Sequence, residues 1–217
     1  ALHGYVSRHM WQEGWKGVPT AEIPIASVTN GVHVPSYAGP AVRLLLDHVL
    51  GEGWQEEGPD SPVWSKIDEI PDEELWTVKQ LQKKQLLEYI RASLPEAFKK
   101  YAVPYERQKD MTARLTPSSL VIGFARRFAP YKRATLLFAD VERLARILER
   151  ADRPVIIVFA GKAHPADVQG IDMLQEVIRH MLEPRFFGKL FFIEDYSLAV
   201  SRLMVQGCDV WLNTPRR

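Results

Sequence analysis

Between residues 119 and 213 four short apolar runs alternate with three longer amphipathic stretches, and that alternation leaves few folds open. The runs at 119–124, 154–160, 189–194 and 208–213 have strand length and are apolar almost throughout, as strands covered on both faces are. The stretches at 131–149, 166–183 and 197–206 read as helices. In the first of them Leu137, Val141, Leu144 and Leu148 recur at helical spacing, with Arg133, Glu142, Arg143, Arg146 and Glu149 elsewhere on the wheel. Strands alternating with helices specify parallel βαβ units with right-handed crossovers, so the C-terminal half is expected to be a doubly wound parallel α/β sheet. In open sheets of this kind ligands sit beyond the carboxyl ends of the strands.

The first of those ends carries the densest chemistry in the chain. In the stretch 123–133 the cations Arg126, Arg127, Lys132 and Arg133 crowd together just after the apolar run. Pro130 suits a first helical turn, where its missing N–H costs nothing, so the cations are expected at the amino end of the helix 131–149. A helix start offers partial positive charge and free N–H donors, and gathering further cations there is unfavourable unless an anion joins them. Phosphate is the obvious guest, against the plainer alternative of a solvated basic helix start. The net charge of +1 makes the cluster local, whereas a nucleic-acid footprint spreads over a face or a tail; no nucleic-acid partner is expected.

The second strand end reads Gly161-Lys162-Ala163-His164-Pro165, and its single Gly-Lys lacks the glycine-rich loop of a nucleotide-binding P-loop. His164, before a proline at a helix start, reads as a capping or surface residue. The third end reads Glu194-Asp195-Tyr196-Ser197, where both carboxylates are expected to hydrogen-bond the following helix start. No dinucleotide fingerprint, metal-ligand spacing or nucleophile elbow occurs, so no metal is expected.

The N-terminal half is less regular. A helix is expected near 5–15, a strand over 23–28 ending in a turn at Asn30-Gly31, and a helix over 40–50. Residues 51–71 read as a loop or linker whose Trp54 and Trp64 pack on something, 72–101 as a long helix with a break near Pro95, and 101–117 as irregular. A boundary is expected near residue 115. No apolar run approaches the roughly 18 residues needed to cross a bilayer, so no membrane partner is expected. The only cysteine, Cys208, lies in an apolar run and reads as a core residue; a reducing, cytoplasmic setting follows. With no initiator methionine and a last strand that meets no closing helix, the chain reads as an internal piece of a longer enzyme.

Taken together, Leu2-His3-Gly4, Val28-Thr29-Asn30-Gly31-Val32-His33, the stretch 123–133, Phe159-Ala160-Gly161-Lys162-Ala163 and Phe192-Ile193-Glu194-Asp195-Tyr196 resemble the α-glucan phosphorylase family in its shorter bacterial and archaeal form. The resemblance implies a two-Rossmann-domain glycosyltransferase fold, with 1–40 ending a glucan-binding domain, 41–115 a helical crossing or linker region, and 116–217 opening the pyridoxal-phosphate domain. It implies retaining phosphorolysis of terminal α-1,4-linked glucose units to glucose 1-phosphate, with an α-1,4-glucan or maltooligosaccharide and orthophosphate as partners and a possible homo-oligomer. Pyridoxal 5'-phosphate is the implied cofactor, and the lysine that ties its aldehyde would lie shortly beyond Arg217, which implies that the chain by itself turns nothing over.

Position by position, the resemblance assigns Arg126 to the cofactor phosphate and Arg127 to the substrate phosphate, with Lys132 reaching between the two. It puts Tyr196 near the cofactor phosphate, Tyr37 near the cofactor ring, and His3 and Asn30 on hydroxyls of the glucose unit. Many relatives have lysine at the position of Arg126 and histidine at that of Ala129, so both contacts differ here. The rival readings are a nucleotide-sugar-dependent glycogen or starch synthase-like enzyme, and a non-catalytic glucan-binding relative.

Overall fold

The computed structural model describes residues 2–216, and they fall into two compact units that divide between Val34 and Pro35. The first unit contains helix α1 (Leu2–Met10), two short 3-10 turns (Gln12–Trp15 and Thr20–Glu22) and an extended segment after Ile23. That segment was expected to be a strand at 23–28, but it joins no ladder. Pro24 has no N–H to give a partner, and the Ile25 N–H closes locally onto the Ile23 carbonyl at 2.7 Å.

The second unit is a three-layer α/β structure built on four parallel strands: β1 (Leu120–Ala125), β2 (Val155–Ala160), β3 (Leu190–Ile193) and β4 (Val210–Trp211). Their spatial order is β3-β2-β1-β4. The register runs from Leu120 opposite Val155 to Ala125 opposite Ala160, while Gly123 pairs with Trp211 on the other edge of β1. The doubly wound parallel sheet expected of the C-terminal half is therefore present. The winding moves outward from β1 to β3 and then returns to the far side of β1, so the strand order reverses between β1 and β4.

Alternation along the strands sorts the side chains into two cores. Val121, Ala125, Ile156, Val158, Phe191 and Ile193 face one layer of helices. Phe124, Ile157, Phe159 and Leu190 face the other. The second layer is α6 (Val141–Glu149) and α7 (Val168–Leu182). The first layer comes largely from residues expected to be crossing or linker: α4 (Asp72–Lys100), α5 (Tyr105–Ala113) and, later in the chain, α8 (Leu198–Gly207). Ahead of them come the single turn α2 (Val34–Tyr37) and α3 (Pro40–Leu50), the latter as expected.

Three expectations are corrected here. The helix α4 runs through Pro95 without ending, because Leu86, Leu87, Ile90, Leu94 and Phe98 keep one face in the core on both sides of the proline. The stretch 101–117 is not irregular: it holds α5, started after Pro104 and contributing Met111 to the core. Residues 51–71 contain 3-10 turns at Trp54–Glu56 and Pro62–Glu69; Trp54 is buried, donates to Asp47 at 2.8 Å, and meets Trp64 edge-on, so the tryptophans do pack.

The most consequential correction concerns the helix expected at 131–149. The chain makes a 3-10 turn at Pro130–Lys132, enters the left-handed region at Arg133 (φ 49°), makes a second 3-10 segment at Ala134–Asp140, and only then becomes α6. Asp140 supplies the true N-cap, accepting the Arg143 N–H at 2.9 Å. Leu144 and Leu148 are buried as their spacing required, but the basic cluster does not stand on an α-helix amino end.

Candidate functional site

The strand order reverses between β1 and β4, the place where open parallel sheets hold ligands, and the basic loop 126–133 follows the carboxyl end of β1. Its position follows from alternation carried one step beyond the strand. Arg127 is exposed while Phe128 is fully buried among Phe124 and Phe192, with ring centroids 6.2 and 6.0 Å away. Burying such a ring contributes about 2–3 kcal/mol, enough to fix which residues of the loop point outward.

The loop also continues the sheet. The Arg126 N–H donates to the Ala160 carbonyl at 3.3 Å, and the Phe128 N–H to the Lys162 carbonyl at 3.1 Å. The approach is so close that a Cβ at Gly161 would stand 2.1 Å from the Arg126 carbonyl oxygen, and Gly161 adopts φ 148°. Behind the loop, Gly170 lets α7 approach: a Cβ there would meet the Phe128 carbonyl oxygen at 2.4 Å, while the Gly170 N–H is capped by Asp167 at 2.9 Å.

Density sets the cluster apart, since Arg126, Arg127, Lys132 and Arg133 stand within one short loop, whereas lone cations elsewhere, such as Lys79, Arg91 and Arg114, also donate to backbone carbonyls. Lys83 pairs with Asp209, Lys100 with Glu194, Arg150 with Asp152, and Arg185 with Glu142 and Glu183. Among the described residues no carboxylate pairs with Arg126, Arg127, Lys132 or Arg133. Arg126 donates to the Asn213 amide oxygen at 2.6 Å, and Arg133 to the carbonyls of Thr214 and Pro215 at 2.8 and 3.3 Å. The Lys132 ammonium lies over the Tyr131 ring at 4.5 Å from its centroid. Arg127 makes no hydrogen bond or ion pair to the described residues. Four positive charges thus gather with only neutral partners, and such a cluster favours a polyvalent anion that accepts several charge-assisted hydrogen bonds.

The remaining candidates stand on other segments of the chain. Tyr196 is half-buried after β3, its ring against the core beneath the sheet; β3 is two strands from β1, or about 10 Å. Tyr37 is half-buried in α2. His3, exposed in α1, and exposed Asn30 belong to the first unit. The structure therefore brings Arg126, Arg127 and Lys132 together at one strand end, while Tyr196 follows β3 and Tyr37 lies in α2.

At the third strand end the carboxylates behave differently from expectation. Glu194 accepts from Lys100 and from the Tyr101 hydroxyl, both at 2.6 Å, and so pins the end of α4 to the end of β3. Ser197, not a carboxylate, caps α8 by accepting the Val200 N–H. Burial works to raise the Glu194 pKa, but the bonds from Lys100 and Tyr101 together hold it below its ordinary value. His164 does not cap the helix, whose N-cap is Asp167; it is exposed, and its Nδ1 accepts the Ala166 N–H at 3.1 Å in the turn before α7. Cys208 is buried, and burial pushes its thiol up to about 12, the setting of an inert core residue. No group of three or more metal-ligating side chains exists among the described residues, and no described helix is long and apolar enough to cross a membrane.

Sequence reasoning missed Asn213 and Thr214 as parts of this arrangement. Asn213 and Thr214 stand just after an apolar strand, and the reversal of strand order that brings that strand beside β1 is a property of the topology.

Fold and cluster together define a doubly wound α/β protein with a cluster of cations at the switch of its sheet. No family model matches the chain. It is 39% identical over 216 residues to a maltodextrin phosphorylase of Thermococcus litoralis, an overlap that covers 100% of this chain and 25% of that protein. It is 40% identical over 213 residues to a glycogen phosphorylase of Aquifex aeolicus (98% of this chain, 30% of that protein). With a glycogen phosphorylase of Mycobacterium bovis it shares 37% identity over 216 residues (100% and 25%). The chain belongs to the glycogen and maltodextrin phosphorylase family, and it spans about a quarter of the length of the curated relatives it matches.

Proposed function

We propose that this chain forms the phosphate-handling part of an α-1,4-glucan phosphorylase, a glycosyltransferase that releases terminal glucose units as glucose 1-phosphate with retention. The observation that carries the reading is the cluster of four cations at the β1 end without a carboxylate partner among the described residues. Phosphorolysis that uses a phosphorylated cofactor needs two phosphate groups held close together, a repulsive pair that fixed cations relieve.

Pyridoxal 5'-phosphate fits the donor set, because the cluster offers a phosphate several cations with no carboxylate partner among the described residues. Arg126 would hold the phosphate of the cofactor. When bound, that phosphate supplies a proton-exchanging group next to orthophosphate. Arg127, exposed and free of other partners among the described residues, clamps orthophosphate through its planar fork of N–H donors. Lys132 rests on the Tyr131 ring, a contact weak enough to release, and swings between the two phosphates as a point charge. Tyr196 and Tyr37 serve the cofactor, and His3 and Asn30 the hydroxyls of the glucose unit. The expected setting is the cytoplasm.

The test is phosphorolysis of a maltooligosaccharide by the full-length protein that carries this segment. Glucose 1-phosphate that appears only when both orthophosphate and pyridoxal phosphate are present is the expected result. Glucosyl transfer from a nucleotide sugar instead would replace this reading with the synthase-like one.

A further inference from the structure

Every residue from 213 to 216 bonds to the basic loop. Asn213 accepts from Arg126 at 2.6 Å. The Thr214 hydroxyl donates to the Lys132 and Arg133 carbonyls at 3.0 and 3.2 Å. Thr214 and Pro215 carbonyls accept from the Arg133 guanidinium, and the Arg216 N–H donates to the Tyr131 carbonyl at 2.8 Å. The two segments can meet because β4 lies beside β1, with Gly123 opposite Trp211, so both chains leave the sheet side by side.

The chemistry of this seam is selective. Its acceptors toward the cations are one side-chain amide and two backbone carbonyls, all neutral. A carboxylate at the same place would hold Arg126 equally well but would cancel the charge an anion needs. The hydroxyl of Thr214 binds the loop through backbone carbonyls and takes no donor from the cations. The seam also holds Arg133 in the left-handed region (φ 49°), a conformation unfavourable for a residue with a Cβ. That turn follows directly on Lys132.

We propose that Asn213 and Thr214 are positioning residues of the anion site: Asn213 aims the Arg126 guanidinium and Thr214 holds the turn that presents Lys132, neither neutralising the charge. The inference rests on the reading of the cluster as a phosphate site. Neither residue touches the anion; each acts through a cation or through the backbone beneath one.

The test is titration of the chain with orthophosphate, followed by NMR, for the native sequence and for Thr214→Val, Thr214→Ser and Asn213→Asp. Thr214→Val keeps the branched shape and removes only the hydroxyl. It should weaken orthophosphate binding by about tenfold, the worth of one such hydrogen bond, while Thr214→Ser restores binding to within about twofold of the native value. Asn213→Asp places a carboxylate on Arg126 and should also weaken binding by about tenfold, with a thermal midpoint no lower than the native one. If Thr214→Val fails to fold, Asn213→Asp decides the matter on its own. Native binding with unchanged affinity in Thr214→Val and Asn213→Asp would overturn the positioning role and leave the phosphate site standing. No orthophosphate binding by the native chain would overturn the site and this inference together.

Discussion

At the scale of single residues, the basic loop separates side chains that hold the structure from side chains held by it. Arg127 is exposed and makes no bond to the described residues, so Arg127→Ala should change stability by no more than about 0.5 kcal/mol. The same variant should lose most of the orthophosphate binding seen by NMR titration; native-like binding would remove Arg127 from the site. Gly161 is the opposite case. A Cβ there would meet the Arg126 carbonyl at 2.1 Å, with φ at 148°, so neither space nor backbone admits alanine. Gly161→Ala should destabilise the fold by about 1–3 kcal/mol in urea unfolding and shift the Arg126 amide resonance. A variant as stable as the native chain, with that resonance unmoved, would mean the loop does not approach β2 as described. Cations at 126, 127 and 132 were legible in the sequence because their density is local in a chain of net charge +1. Asn213 and Thr214 were not, because their partners lie more than 80 residues away in sequence.

Elements are joined here by a few polar contacts of unequal burial. The strongest is Lys83 of α4, whose side chain is 3% exposed and whose ammonium lies 2.7 Å from Asp209 at the start of β4. Lys83 also donates to the Pro117 and Ser119 carbonyls, and Asp209 accepts the Val121 N–H at 2.8 Å. One ion pair therefore ties α4, the entry to β1 and the entry to β4, at the end of the sheet opposite the basic loop. Lys83→Ala strands a half-buried carboxylate and should cost about 3–5 kcal/mol by chemical denaturation. The double variant Lys83→Met with Asp209→Asn should cost clearly less than Lys83→Ala, since the pair is then replaced and not broken; equal costs would show that packing, not charge, dominates. The pairing explains a polar residue in the middle of a buried helix face, which the apolar spacing of α4 by itself does not. The start of α6 was misplaced in the sequence reading for a related reason. Leu137 and Val141 have helical spacing to Leu144, but the seam with residues 213–216 holds Arg133 in a conformation that no α-helix contains.

Across the whole molecule, stability should depend on pH mainly from the acid side. Glu194 and Glu183 are pushed up by burial, yet hydrogen bonds from Lys100 and Tyr101, and from Arg185 and His180, leave both below the ordinary carboxylate value. Asp152, bonded to Arg150, is lowered as well. A folded-state pKa below the unfolded one gives stability that is present above about pH 4.3 and is lost as pH falls through the folded value. The urea midpoint should therefore drop between pH 5 and pH 3, and Glu194→Gln should flatten that drop; an unchanged slope would show that Glu194 contributes nothing. Tyr101 has the opposite sign. Burial first, then the bond to Glu194 and its charge, raise its pKa, so its contribution persists to about pH 10 and is lost above it.

Composition, strand-length apolar runs and helical spacing were sufficient for the parallel sheet, because strands buried on both faces and helices apolar on one side are local patterns. The cation cluster was legible to the same extent, as a local density of charge where a strand ends. The tertiary structure alone decided that β4 returns beside β1, since strand order is set by which edges find cover, not by any property of the strands themselves. It alone made α4 and α5 a covering layer of the sheet, because the apolar face of a helix does not name the surface it will bury against. And it turned the expected helix start into a seam of neutral acceptors, because those acceptors come from a segment 81 to 87 residues further along the chain.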